Sequence, residues 1–437
     1  MSEEAKRSAT LAEQALAGHR RWRGKMQTMP KCPVQGIGDF ALWYTPGVAA
    51  AARAVAEAPA QSYDLTDRGD RVAIVSDGSR VLGLGDIGPE GALPVMEGKA
   101  LLFKYLGAVD AAPLCIARHD VAGIVDFVEA LAPSFGGVNL EDIATPKCFR
   151  VLEELQQRLP IPVWHDDQQG TAAAVLAGLI GALERVGKRM EEVRIGLVGA
   201  GAANVAVYRL LKSAGADPAR MRVCDSTGIL HKGRADIAGD RERLREKWMI
   251  CSETNPEGLE GGIAEALAGA DVAIAFSAPG PDTIAAEAVA GMAENAVVFA
   301  CANPTPEIWP EAALQAGARI VATGRSDFAN QVNNALVFPG LFRGVLDVRA
   351  RHITDRTALA AAHALADRAR ALGLDDEHLL PPLDDIETAA AVAAAAAEAA
   401  IAEGLATVAL SPRHVHRDTV ERITAVRAAT AKLTGPE

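Results

Sequence analysis

The chain has 437 residues, of which 49% are hydrophobic and 23% are charged, and its formal net charge is −12. A chain of this length and composition is expected to fold into two or three globular domains with sizeable cores. The negative charge excludes a general binder of nucleic acid or of anionic membranes, because both functions need a basic face.

Cysteine usage and the N-terminus indicate the cellular compartment. The six cysteines are scattered without a C-x-x-C pair, which favours reduced thiols in a reducing compartment. The N-terminus has no apolar signal core. The longest apolar run, residues 172–183, is too short to cross a bilayer, which needs about 20 residues. We therefore expect a cytoplasmic protein without a membrane segment.

The N-terminal part of the chain predicts a helix followed by a loop. Residues 1–30 form the predicted helix, which ends in the basic cluster 19–25, a solvated or subunit-contact face. Residues 30–36 then interrupt the chain with two prolines and a glycine. Tyr44 precedes a turn and an alanine-rich helix, so its hydroxyl could face a cleft, and packing of its ring is the alternative.

Residues 71–88 predict a β-hairpin with arms at 71–76 and 80–82. The second arm runs into G-x-G-x-x-G at residues 83–88, a pattern that binds dinucleotides only where a helix begins on the glycines. Pro89 and Pro94 follow instead. We therefore expect a tight loop outside the nucleotide-binding domain.

A helix is predicted to begin at Val95, with Lys99 in its first turn. Small and apolar neighbours, or a nearby cation, would lower the pKa of Lys99 toward that of a useful base. A lysine in a first turn opposes the helix dipole, which hints at a functional role. An ordinary surface lysine is the alternative.

Two acidic pairs follow apolar segments in the alternating strand and helix pattern of residues 113–165. Glu141 and Asp142 come after residues 136–140, and Asp166 and Asp167 come closely after residues 161–164. Ligands gather at the carboxyl ends of strands in an open α/β sheet. Carboxylates there could hold a hard cation, which prefers oxygen ligands, or cap the small-residue helix predicted from residue 171.

A dinucleotide fingerprint begins after that helix. Residues 193–198 predict a buried strand, residues 199–204 read Gly-Ala-Gly-Ala-Ala-Asn, and a helix follows at 205–214. Asp225 ends the next predicted strand, near the spacing of the carboxylate that meets the adenosine ribose. Asn204 occupies a position where glycine or alanine is usual. The strand, turn and helix nevertheless predict dinucleotide binding.

Further strand-and-turn units and a helical tail complete the chain. Asn303 and Asn334 follow predicted strands and could hydrogen-bond a carboxylate or a carboxamide, with a turn role as the alternative. Residues 351–437 are helical and alanine-rich, and we expect them to pack on the preceding domains or on a partner subunit.

Taken together these stretches resemble the malic enzyme family over roughly residues 30–350. The resemblance implies an α/β fold with an N-terminal catalytic and metal-binding domain (1–168), a doubly wound Rossmann-type NAD(P)-binding domain (169–350) and a helical C-terminal segment (351–437). The matching motifs are Tyr44-Thr45-Pro46-Gly47, Leu82-Gly83-Leu84-Gly85-Asp86-Ile87-Gly88, Glu97-Gly98-Lys99, Asn139-Leu140-Glu141-Asp142, His165-Asp166-Asp167-Gln168-Gln169-Gly170-Thr171, Asn303-Pro304-Thr305, Gly324-Arg325-Ser326-Asp327 and Asn333-Asn334.

The resemblance also implies a role for each site residue. Lys99 would be the general base and Tyr44 the general acid, and Asp166 would orient Lys99. The implied ligands of Mg²⁺ or Mn²⁺ are Glu141, Asp142 and Asp167. The implied substrate contacts are Arg80, Lys99, Asn303 and Asn334, although many compact family members lack the arginine. The implied cofactor contacts are Gly199, Ala200, Gly201, Ala202, Ala203, Asp225 and Asn303.

The implied reaction is metal-dependent oxidative decarboxylation of L-malate to pyruvate and CO₂ with reduction of NAD or NADP. Conversion of malate to lactate and a catalytically silent dinucleotide sensor are the alternatives. Ser226, Lys232 and Arg234 could bind a phosphate, with a solvated loop as the equal alternative. The choice between NAD and NADP therefore stays open, with NADP slightly ahead. We also expect a homodimer or larger homo-oligomer, with no nucleic-acid or membrane partner.

Overall fold

The smaller of the two sheets carries acidic residues directly after three of its four strands, along one edge. A computed structural model describes residues 3–81 and 83–434. The sheet has the order β2-β1-β3-β4, and all neighbouring strands are parallel. Its strands are β1 (Arg71–Ser76), β2 (Asp110–Cys115), β3 (Gly137–Leu140) and β4 (Val163–His165). The helices before and between them are α1 (Glu3–Trp22), α2 (Phe40–Trp43), α3 (Val48–Glu57), α4 (Ser62–Leu65), α5 (Gly88–Gly107), α6 (Val121–Leu131) and α7 (Lys147–Arg158).

The larger sheet has the order β10-β9-β8-β5-β6-β7, with only β7 antiparallel among its described strands. The strands are β5 (Ile195–Val198), β6 (Met221–Asp225), β7 (Gly228–Ile229), β8 (Val272–Ala275), β9 (Ala296–Ala300) and β10 (Ala318–Thr323). The helices of this part are α8 (Thr171–Val186), α9 (Ala202–Ser213), α10 (Ala235–Ala238), α11 (Arg245–Glu253), α12 (Ile263–Leu267), α13 (Ala286–Ala290) and α14 (Pro310–Gln315).

Strand order in the larger sheet reverses between β5 and β8, because β6 and β7 lie on one side of β5 and β8 to β10 on the other. Ligands of doubly wound sheets bind outside the carboxyl ends of the strands at such a reversal. The predicted α/β fold with a Rossmann-type sheet is confirmed.

Four helices complete the chain, and they pack on both sheet-containing parts. They are α15 (Phe338–Asp347), α16 (Asp355–Leu372), α17 (Ile386–Ala402) and α18 (Pro412–Thr434). Helix α16 contacts α8 and α9, while α18 contacts α5. Five alanines of α16 and five of α17 are buried, where small side chains allow helices to approach closely. The predicted domain boundaries stay a prediction. Within the described chain, no helix is both long enough and apolar enough to cross a membrane.

The predicted hairpin at residues 71–88 is wrong. β1 pairs in parallel with β2 and β3, and its near-complete burial is the pattern of a central parallel strand. Residues 77–81 and 83–87 form a loop, and Leu82 of the predicted second arm lies outside the described residues. Helix α5 begins at Gly88 rather than Val95. Pro89 allows this start, since a first-turn residue has no intrahelical partner for its N–H.

Candidate active site

Two acidic pairs lie side by side at the carboxyl edge of the smaller sheet. Glu141 and Asp142 follow β3, and Asp166 and Asp167 follow the neighbouring parallel strand β4. The Asp142 N–H donates to Asp167 Oδ2 at 2.8 Å, so the two strand ends are directly joined. The fold thus brings together all four carboxylates that the sequence singled out.

Lys99 reaches this edge from the middle of α5, where it is 8% exposed. Its Nζ lies 3.0 Å from Glu141 Oε1, contacts Asp166 Oδ2 and is 4.2 Å from the centre of the Phe338 ring. The predicted first-turn position of Lys99 is wrong, because α5 begins earlier. Burial by itself lowers the pKa of Lys99, but the charges of Asp166 and Glu141 outweigh it, and the pKa is raised. In this arrangement the lysine is protonated, contrary to the expected lowering.

Asp166 is fully buried and is bonded from both sheet-containing parts. Trp164 Nε1 donates to its Oδ1 at 3.0 Å, and Asn334 Nδ2 donates to its Oδ2 at 2.5 Å. Asn334 follows β10 of the larger sheet, whereas Lys99 comes from α5. A helical turn over residues 166–170 leads into α8 and ends at Gly170. A Cβ at Gly170 would lie 1.9 Å from Asp166 Oδ1, so only glycine fits there.

The four carboxylates of the two acidic pairs outnumber the ammonium group of Lys99 that lies between them. Burial raises the pKa values of Glu141, Asp166 and Asp167, and Lys99 offsets only part of that effect. A set made only of carboxylates has the chemistry of a hard-cation site. Among the described residues, no three acidic, imidazole or thiol side chains are yet arranged to hold a metal ion. The donors fit Mg²⁺ or Mn²⁺ by composition.

Tyr44 and Arg80 do not reach this cluster within one chain. Tyr44 follows α2 and is 69% exposed. Among the described side chains, neither Tyr44 nor Arg80 has a hydrogen bond or an ion pair with Lys99. The Arg80 side chain is exposed, although its backbone N–H donates to the Asp142 carbonyl oxygen at 3.0 Å. Arg80 therefore lies beside the acidic edge with its guanidinium directed to solvent.

Two polar residues at the same edge were not among the predicted site residues. Asn139 Nδ2 donates to Glu141 Oε2 at 2.8 Å and so holds that carboxylate. Asp77 follows β1, is fully buried and pairs with Lys147. Its signal in the sequence was the same as that of Glu141, a carboxylate after a buried strand. Asp77 was not recognised as a site residue, because the predicted hairpin placed it in an exposed turn.

The predicted cofactor residues 199–203 form the turn from β5 into α9 and the first residues of that helix. Gly199 has φ +97°, and a Cβ there would lie 2.4 Å from the Phe276 carbonyl oxygen. The Asn204 amide donates to the carbonyl oxygens of Val198 at 2.8 Å and of Gly199 at 2.9 Å. The side chain that departs from the fingerprint therefore fixes the turn. A glycine turn that leads into a helix N-terminus is the backbone arrangement that binds a pyrophosphate in dinucleotide-binding proteins.

Asp225 ends β6, as the sequence predicted, and its carboxylate pairs with Arg234 and Lys247. Asn303 follows β9 and lies beside the loop after β10, since a Cβ at Gly324 would be 2.8 Å from Asn303 Nδ2. Both residues are therefore at the carboxyl edge of the larger sheet, where the strand order reverses nearby.

Glu307 organises two loops of that edge and was not predicted. It is fully buried. Its Oε1 accepts the Ser277 N–H at 2.8 Å, and its Oε2 accepts the Ala302 N–H at 3.0 Å. These two N–H groups belong to the loops after β8 and β9, so Glu307 ties together the loops that border the crevice. No short motif marks such a residue in a sequence.

Comparison with known proteins agrees with the two-part site. The family model described as “Malic enzyme, NAD binding domain” matches residues 168–401. The model described as “Malic enzyme, N-terminal domain” matches residues 23–121.

Similar proteins match nearly the whole chain. The bifunctional malic/malolactic enzyme of Bacillus subtilis is 44% identical over 410 residues, which cover 94% of this chain and 98% of the relative. The NAD-dependent malic enzyme of Geobacillus stearothermophilus is 45% identical over 384 residues, 88% of this chain and 78% of the relative. Other relatives are named NADP-dependent malic enzymes. The crystal structure of Entamoeba histolytica malic enzyme matches with a TM-score of 0.96 and 44% identity, covering 99% of this chain and 91% of that one.

Proposed function

The chain belongs to the malic enzyme family, and we propose that it catalyses metal-dependent oxidative decarboxylation of L-malate. The products would be pyruvate, CO₂ and NADH or NADPH. The observation that carries the proposal is the buried Lys99, held by Glu141 and Asp166 at a sheet edge that Asn334 joins to the nucleotide-binding part. The proposed base would then lie beside the proposed cation site and near the crevice for the hydride acceptor.

Glu141, Asp142 and Asp167 would hold the cation. When bound, the cation would stabilise negative charge on the substrate, and the nicotinamide would accept the hydride from C2. Lys99 takes the proton of the C2 hydroxyl group. This role requires that Lys99 lose its own proton. A cation bound by Glu141 beside Lys99 would repel the protonated form of the lysine, so the raised pKa falls when the site is complete.

Decarboxylation then breaks the bond between C3 and C4, and a general acid must protonate C3. Tyr44 is the proposed acid. Arg80, Asn303 and Asn334 are the proposed contacts of the substrate carboxylates and of the carboxamide, because they border the acidic edge or the crevice. These assignments rest on the family's motifs and on the strand ends where the residues lie.

The exposure of Tyr44 leads to the proposal of a homodimer. The surrounding segment, residues 29–57, leaves several large apolar side chains in solvent, including Ile37, Phe40, Leu42 and Trp43. A contiguous exposed apolar surface marks an interaction site. A second copy of the chain is the partner that would both cover this segment and bring Tyr44 to a Lys99 cluster. Sedimentation at micromolar concentration should show a dimer or larger species, and a monomer would contradict the proposal.

The function is tested by following NAD(P)H absorbance with L-malate and Mn²⁺, with each dinucleotide separately. We expect a rise that requires malate, stops with EDTA and returns when Mn²⁺ is in excess, and we expect pyruvate in the product. Folded protein that binds a dinucleotide but gives no rise and no product would contradict the proposal and favour the silent sensor.

Conversion of malate to lactate is a second candidate. A relative at 44% identity is named for both activities, and the same base, cation and dinucleotide would serve both. In that reaction the reduced dinucleotide would be consumed again in situ. Lactate that accumulates without NAD(P)H would show the second activity, whereas equal amounts of pyruvate and NAD(P)H would exclude it.

A further inference from the structure

A cleft of about 340 Å³ opens at the amino ends of the strands of the larger sheet. It is lined at the start of β5 by Arg194 and Ile195, at the start of β6 by Arg220 and Arg222, and before β8 by Ala270. The glycine turn at residues 199–203 lies at the other end of β5. Pockets of roughly 300–1,000 Å³ hold small ligands, so this second site has room for a small molecule.

Three arginines line this cleft from two neighbouring strands. Arg222 on β6 pairs with Gly196 on β5. Successive side chains of a strand alternate between the two faces of the sheet, so Arg194, two positions before Gly196, lies on the same face as Arg222. Arg220, directly before β6, lines the same cleft. The register of the two strands therefore brings three guanidinium groups into one space.

Backbone carbonyl oxygens hold two of these guanidinium groups. Arg222 Nη1 donates to the carbonyl oxygens of Glu265 and Ala268, both at 3.1 Å. Arg220 Nη1 donates to the Glu192 carbonyl oxygen at 2.9 Å. A guanidinium group has five N–H donors, and these bonds use one nitrogen of each group. The two groups are thus fixed in place with N–H donors left for a ligand.

Positive charge exceeds negative charge in the cleft. Among the described residues that line it, Glu257 is the only acid. Within the described chain Arg194 and Arg222 have no ion pair, and Arg220 has one distant pair, 3.9 Å from the exposed Asp217. This excess stands out in a chain with a net charge of −12. Guanidinium groups match the oxygens of phosphates with paired N–H donors.

We propose that this cleft binds a small anion that carries a phosphate group. Three guanidinium groups suit the several oxygens of a tetrahedral phosphate, whereas a single guanidinium fork already matches a planar carboxylate. Ala266, Ala268 and Ala270 border the remaining space, which an apolar part of the ligand would fill. The site is separate from the crevice proposed for the dinucleotide, so the inference goes beyond the proposed reaction and does not depend on it.

The test is a calorimetric titration with inorganic phosphate at constant ionic strength, without and with NAD. We expect saturable binding that NAD does not change. Arg194→Gln should weaken it about fivefold or more, and because the Arg194 side chain has no hydrogen bond within the described chain, the substitution removes no bond of the fold. Arg194→Gln combined with Arg222→Gln should abolish binding. Arg356→Gln is the matched control, since Arg356 is an exposed arginine on α16, outside the cleft, without an ion pair to a described residue.

No saturation up to about 10 mM phosphate, or equal effects of Arg194→Gln and Arg356→Gln, would overturn the inference. Displacement of phosphate by NAD would overturn it too, because the ion would then occupy the glycine turn. Succinate should bind at least about fivefold more weakly than phosphate, and equal affinities would refute the phosphate assignment. A circular dichroism melt identifies a variant that fails to fold, and if the double variant does, Arg194→Gln alone must show the loss. Phosphate binding of this kind without malate turnover would contradict the proposed function and leave this inference standing.

Discussion

Gly170→Ala is expected to inactivate the enzyme through the position of Asp166. The added Cβ would lie 1.9 Å from Asp166 Oδ1, and ordinary contact begins at 3.4 Å. The carboxylate must therefore retreat by about 1.5 Å. It cannot do so and keep its bonds to Lys99, Trp164 and Asn334. Misplacement of a catalytic group by about 1 Å can cost on the order of 100-fold in rate, so we expect kcat to fall by at least that factor.

Gly98→Ala provides the matched control. Gly98 is adjacent to Lys99 on α5, and the nearest atom to an added Cβ there is Lys25 Cε at 4.0 Å. Alanine in a helix interior is favoured over glycine by about 0.5–1 kcal/mol, so this variant should keep its activity and melt slightly higher. Steady-state kinetics and thermal melts compare the two. If Gly170→Ala folds and retains kcat within threefold, the argument is refuted. Should it not fold, Asp166→Asn tests the same carboxylate without added volume.

Two further predictions concern assembly and stability. Tyr44→Phe and Lys99→Ala should each be inactive, yet mixed dimers that combine a normal Tyr44 and a normal Lys99 across the interface should recover about a quarter of the wild-type rate by random pairing. No recovery after confirmed subunit mixing would place both residues in one chain. Asp70→Asn should lower the free energy of unfolding by about 2 kcal/mol at pH 7, because it removes a charged partner of the buried Arg343, 2.9 Å away. Asp67 is more exposed, so the control Asp67→Asn should lower the free energy of unfolding little. Burial raises the pKa of Asp70, but Arg343 and other cations outweigh burial and lower it. The ion pair is therefore at full strength above about pH 4 and weakens as pH falls through the lowered pKa. In urea denaturation, the free energies of unfolding of wild type and Asp70→Asn should approach each other only at such low pH. If they already approach each other between pH 7 and 5, this account is contradicted.

The parts of the site that depend on strand order could be predicted from the sequence. Glu141 and Asp166 each follow an apolar strand, and parallel neighbours place their carboxyl ends together. The turn at residues 199–203 could also be predicted, because the strand, the glycine turn and the helix follow one another directly in the sequence. The roles of these residues as ligands or catalytic groups stay predictions.

The environment of individual side chains could not be predicted in the same way. Lys99 seemed suited to a lowered pKa from its apolar neighbours in sequence, but the fold places it against two carboxylates that raise the pKa. Asp225 looked like a free ribose ligand, yet Lys247 reaches it from a helix that begins 20 positions later. Contacts between distant segments decide both cases. The helix start at Gly88 was missed for a local reason, since Pro89 is tolerated in the first turn, and the helix continues through Pro94.

Asp166 makes the position of Lys99, the proposed base, depend on the nucleotide-binding part. Its carboxylate contacts Lys99 and also accepts a hydrogen bond from Asn334, which follows β10 of the larger sheet. The turn that begins at Asp166 packs against α9, the helix that starts on the dinucleotide turn. In the proposed reaction, proton removal and hydride transfer act on one carbon and its hydroxyl group, so the base and the nicotinamide would need a fixed separation. A carboxylate that bonds the base and also fixes the nucleotide-binding part supplies this separation. Moving Asp166 should therefore disturb both partners of the reaction, whereas removing Lys99 disturbs only one.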